Sequence, residues 1–87
     1  MDDYWTHRFA GDALRLLDRP AEAADHYRRA LELSPDAHDL RYHMGLLYAQ
    51  MDRLDEAQAW WQDYLAHQPD GPLAPAAHEH LDRVSDN

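Results

Sequence analysis

Residues 40–69, LRYHMGLLYAQMDRLDEAQAWWQDYLAHQP, decide the fold. Leu40, Met44, Leu47, Tyr48 and Met51 recur at three- and four-residue intervals, the spacing of one face of an α-helix. Ala57, Trp61 and Leu65 repeat that spacing further on. Asp52-Arg53 interrupts the pattern and Pro69 ends it, so the stretch reads as two antiparallel helices joined by a tight turn.

A degraded copy lies upstream. Under a shift of about 34 residues, Gly11 falls on Gly45, Leu14 on Tyr48, Asp18-Arg19 on Asp52-Arg53 and Glu22-Ala23 on Glu56-Ala57. Tyr27 falls on Trp61, Leu31 on Leu65 and Pro35 on Pro69. Glycine and alanine let two helices approach, and the aromatic fills the space between them. Helices are expected over roughly 4–17, 20–33, 37–50 and 54–67, with a last one over roughly 75–84. Asp2 or Asp3 is the expected N-cap of the first helix. Asp36 is the expected cap of the third, with Asp39 in a capping-box relation to it. Asp70-Gly71-Pro72 breaks the chain. Leu73, Ala77, Leu81 and Val84 form the stripe of the last helix, and Ser85-Asp86-Asn87 are expected to fray.

The motif MGLLY (Met44 to Tyr48), followed by Ala57, Trp61, Leu65 and Pro69, resembles the tetratricopeptide repeat family. The first copy carries AGDAL (Ala10 to Leu14), Ala23, Tyr27, Ala30-Leu31 and Pro35. The resemblance implies an all-α fold: two helix–turn–helix repeats, over about 4–37 and 38–71, and a capping helix over about 73–85. The chain would then be one domain, 1–87, built as a short right-handed α-solenoid. Some residues depart from the family pattern. His7 and Arg41 sit where the family often has Trp, Asp18 and Asp52 replace a turn glycine, and Tyr64 replaces an Ala. Tyr64 is expected to pack on the last helix, beside Ala76-Ala77, and Trp60 to fold onto the same helix.

The family's first helices line a concave face. Helical spacing puts Trp5, Arg8, Phe9, Asp12 and Leu16 on that face of the first helix, and Asp39, Tyr42, His43, Leu46 and Gln50 on that face of the third. Trp5, Phe9, Tyr42 and Leu46 make a second apolar stripe, and a helix in a two-layer protein needs only one. They either anchor a peptide or helix of another protein, meet a second copy in a homodimer, or cover a core too small to close. Arg8 or Arg15 suits a carboxylate. Some family members grip a terminal carboxylate with Lys and Asn. This chain has no Lys and only Asn87, so that use is not supported.

Composition narrows the rest. Seventeen acidic against eight basic residues give a net charge of −9. No basic face is available to displace counterions from phosphate or to hold anionic lipid, so neither nucleic acid nor membrane is an expected partner. No run is long and apolar enough to span a bilayer, and MDDYW lacks the form of a secretory signal, so the expected location is cytoplasmic. The absence of cysteine excludes thiolate chemistry. Seven histidines invite a metal, but spacing converges at most Asp39 with His43, whereas His78 and His80 diverge. A zinc site needs three or four ligands, so no metal and no cofactor are expected. No base–nucleophile pair or phosphate loop is present, and the expected role is non-catalytic: an adaptor or scaffold, with a self-assembling module as the alternative.

Overall fold

Proline and aspartate punctuate the chain, and the helices lie between them. A computed structural model describes residues 2–85, in the order α1 (Tyr4–Leu16), α2 (Pro20–Leu33), α3 (His38–Gln50), α4 (Leu54–His67) and α5 (Ala74–Ser85). No strand occurs among the described residues, and the all-α repeat expected from sequence is the fold. The helix limits agree with those read from sequence to within one residue. Fraying was expected partly of Asp86 and Asn87, which lie outside the described residues.

Asp3 caps α1, accepting the Thr6 N–H at 2.8 Å. Pro20 opens α2, where its missing N–H leaves no intrahelical bond unmade. Asp36 does not cap α3. Ala37 holds that position without a side-chain bond, because Asp36 lies one residue early, inside the tight turn after Ser34. Asp39 completes no capping box, since Arg8 of α1 takes its carboxylate.

Both hairpin turns use the same device. Asp18 and Asp52 have φ of 60° and 61°. The N–H of Arg19 reaches Leu14 O at 2.9 Å, and that of Arg53 reaches Tyr48 O at 2.8 Å, the Schellman pattern. A left-handed backbone suits glycine best, because any Cβ crowds the neighbouring carbonyl. Asp18 is compensated by a hydrogen bond from the Gln50 amide. Asp52 has no such partner among the described residues. Asp52→Gly is therefore expected to stabilise the chain by about 0.5–1 kcal/mol, and Asp18→Gly by less, as read from urea midpoints.

The hairpins close around the paired residues seen in the repeat. A Cβ on Gly11 would stand 2.5 Å from the Tyr27 ring, and one on Gly45 would run into the Trp61 indole. Ala23, Ala57, Tyr27 and Trp61 are all buried. Packing is most extensive within each hairpin, α1 on α2 and α3 on α4. It is thinner between successive units, α2 on α3 and α4 on α5.

The departures from the family pattern are absorbed locally. His7 is buried, bonds His26 of α2 at 3.1 Å and is held at its other nitrogen by Asp2. Arg41 instead ties α3 to Asp63 of α4 at 2.8 Å and to the Pro35 carbonyl at 2.7 Å. Tyr64 is 2% exposed, and its hydroxyl accepts the Leu73 N–H at 3.0 Å, pinning the entry to α5. Trp60 is half-buried against the core.

Candidate functional site

The first helices of successive units lie side by side, joined by polar contacts. Arg8 of α1 donates to Asp39 of α3 at 2.6 Å, and the Tyr42 hydroxyl of α3 pairs with His80 of α5 at 3.0 Å. The surface formed by α1, α3 and α5 carries the ten residues singled out by helical spacing.

Its charges are already neutralised. Arg8 also donates to the Tyr4 hydroxyl at 2.8 Å and lies 3.9 Å from Asp12. Arg15 lies 3.8 Å from Asp12 and donates to Tyr27 Oη at 3.1 Å, while Tyr27 donates its proton to Asp12. Burial and the Asp12 hydrogen bond push the Tyr27 phenol up to about 12. The hydrogen bond to Asp39 raises the Arg8 guanidinium above its ordinary value. Burial pushes the Asp39 carboxyl up, but the bond and charge of Arg8 outweigh it and hold the group below the usual carboxylate range. A ligand carboxylate reaching Arg8 or Arg15 therefore has to displace a carboxylate that is already there.

The apolar members divide in two. Trp5 and Phe9 are 58% and 60% exposed, and their ring centroids lie 5.5 Å apart. The edge of Tyr4 stands against Trp5 at 4.9 Å, steadying its ring. Leu16 is exposed further along α1. Tyr42 is buried beside Tyr64 and His80, and Leu46 is half-buried, so these two form a floor and not a rim. Gln50 is turned toward Asp18 in the α1–α2 turn.

His43 sits at the centre, with the Tyr42 ring at 5.7 Å and the Tyr27 ring at 6.3 Å. Its Nδ1 is buried without a partner. Burial, then the charge of Arg15, lowers its pKa. The unfolded chain then takes up this proton first, so stability is complete above the ordinary histidine pKa near 6.5 and falls as pH drops through the lowered folded value. His43→Leu removes both the orphaned nitrogen and this proton uptake. It is expected to raise stability by about 1 kcal/mol and to flatten the pH 5–7 profile relative to wild type, measured by urea denaturation across that range.

Two contributors are missing from the set read off the sequence, Tyr4 and His80. A second shift of about 34 residues would have placed His80 under Leu46, which is the signal that α5 continues the surface as well as capping the end. Surface depressions beside Asp52–Glu56 and beside Pro69–His78 are lined by none of the ten residues. Among the described residues, no three side chains of metal-binding type converge, and no helix is long and apolar enough to cross a membrane.

A tetratricopeptide repeat family model matches residues 13–84 of the chain. No curated protein matches it.

Proposed function

The chain belongs to the tetratricopeptide repeat family, whose repeats generally mediate protein–protein interaction, and from that premise we propose that it is a non-catalytic adaptor holding a peptide or helix of another protein across α1, α3 and α5. One observation carries the reading. Trp5 and Phe9 stand together in solvent at the edge of a surface whose Arg8, Asp12, Arg15 and Asp39 are paired with one another. Exposed aromatics on a rigid helix are the usual anchors of an interface, because they bury large area at little entropic cost.

The expected ligand is a segment with aromatic or branched aliphatic anchors and basic flanks. The anchors match Trp5, Phe9, Leu16 and Leu46, with Tyr42 and His43 beneath them. The flanks respond to the −9 net charge, which attracts cations at low salt. Arg8, Asp12 and Asp39 hold the surface in shape, and Gln50 closes its far end toward the α1–α2 turn.

Selection of phage-displayed random peptides against the folded chain tests this. Selected peptides should perturb the NMR signals of the Trp5 indole and of His43, and Phe9→Ala should weaken them about tenfold, the cost of one truncated anchor. Peptides that bind equally well to Phe9→Ala, or that perturb only α2 and α4, would overturn the reading.

A further inference from the structure

We infer that α1 is also a self-association surface, on which a second copy of this chain seats to form a closed, two-fold dimer. Among the described residues, one helix face is covered twice and left bare once. Along α1 and just past it, Trp5, Phe9, Ala13, Leu16 and Leu17 share one solvent-facing arc, with Leu16 and Leu17 at 78% and 66% exposure. The repeat shift carries this arc onto α3 as Asp39, His43, Leu47, Gln50 and Met51. There it is seated against the preceding hairpin: Asp39 on Arg8, His43 near Tyr27, Gln50 on Asp18, and Leu47 1% exposed in the core. A further shift carries it onto α5, where Ala77 is fully buried and Leu73, Leu81 and Val84 pack on the core. On α1 the register is the same, but among the described residues no hairpin covers it.

The opposite end of the molecule decides what kind of copy-to-copy contact fits. The outer face of α5 carries Pro75, His78, Glu79, Asp82 and Arg83, all exposed and mostly charged or polar. It offers no apolar seat for α1 of a neighbouring molecule, so head-to-tail stacking into an open array is disfavoured. What remains is α1 against α1, an isologous contact that closes on itself. An antiparallel pair with its axis near the middle of α1 sets Trp5 beside Leu16 of the second copy and Phe9 over the small Ala13, while Arg8 and Asp12 stay paired within each copy. The helix dipoles then also run in opposite directions.

The size fits a modest dimer. Two half-exposed aromatics and two exposed leucines present roughly 500 Å² of apolar side chain per copy, hence about 1,000 Å² in all, at the lower edge of a stable interface. Each copy carries −9, so repulsion opposes association and salt should strengthen it, the reverse of an interface held by ion pairs.

This surface shares Trp5, Phe9 and Leu16 with the proposed peptide site, so the two occupants compete. Ala13 and Leu17 belong to the dimer alone, and His43 and Leu46 to the peptide site alone. That separation keeps the failure of one reading distinct from the failure of the other.

Sedimentation velocity over about 1 µM to about 1 mM, at about 50 and about 500 mM NaCl, is the test. The 10.2 kDa chain should move toward twice its mass and no further, at lower concentration in the higher salt. Ala13→Glu and Ala13→Arg, both at an exposed position, should each remain monomeric with unchanged helical circular dichroism and should still bind the selected peptides. Leu17→Glu, beyond the end of α1, provides the same reading should Ala13 variants melt early. A strict monomer throughout, growth past the dimer, or Ala13 and Leu17 variants that associate like wild type would each overturn the inference.

Discussion

Trp61→Ala should remove about 3–5 kcal/mol of stability, a fifth or more of the roughly 5–15 kcal/mol that folded domains possess. The indole is 2% exposed. It lies on Gly45 of α3, belongs to α4, and stacks on His80 of α5 with centroids 4.8 Å apart at 13°. Its removal opens a cavity bordered by three helices, and the small residues around it cannot swing in to fill the space. The loss should therefore be cooperative. Urea denaturation followed at 222 nm reports the overall loss, and hydrogen exchange should show α5 released first, because Trp61 is among its few deep contacts. Trp61→Phe should cost far less, about 1 kcal/mol, since the indole Nε1–H is buried without an acceptor and its deletion recovers that penalty. A loss below about 1 kcal/mol for Trp61→Ala would mean that the aromatic is not what holds the second hairpin together.

Gly45→Ala should destabilise the chain by about 2 kcal/mol, against the usual sign of such a change. In an exposed helix, alanine gains about 1 kcal/mol over glycine. Here the added Cβ meets three atoms of the Trp61 ring, and relieving so deep an overlap by moving packed helices apart costs about 3 kcal/mol, the upper end for an overpacked core. Gly11→Ala should follow suit against Tyr27, 2.5 Å from the Cβ position. Combining Gly45→Ala with Trp61→Phe provides the check. The smaller ring makes room, so the double variant should be more stable than the sum of the single changes by at least about 1 kcal/mol, a coupling expected only of residues in contact. Additive losses would show that glycine is there for some reason other than close approach.

The helices, the repeat and the Gly–aromatic pairs were legible because each leaves a local mark: three- and four-residue spacing, a proline stop, a residue type recurring at fixed offset. Three features were not. The cap of α3 depends on which residue leaves the preceding turn last, and Asp36 and Ala37 differ there by one step that spacing does not resolve. The neutralisation of Arg8 by Asp39 joins residues 31 apart, and only the stacking of the second hairpin on the first, through α2 and α3, brings them within 2.6 Å. Spacing puts Tyr42 on the open face and leaves its depth undecided; it is buried, with its hydroxyl against His80 of α5. The chemistry around the two core aromatics also differs in a way that follows from the shift. Tyr27 has Asp12 and Arg15 for its hydroxyl, whereas Leu46 and Ala49 stand in their places around Trp61, whose N–H is left unpaired.

Because each helix packs chiefly on the one before or after it in the chain, almost no distant loop has to be closed before the native contacts begin to reward folding. Folding should accordingly be rapid, in the microsecond to millisecond range typical of such local topologies. Unravelling should be able to start at either terminus and advance one hairpin at a time, so that partly opened forms retain a working stack of the remaining helices.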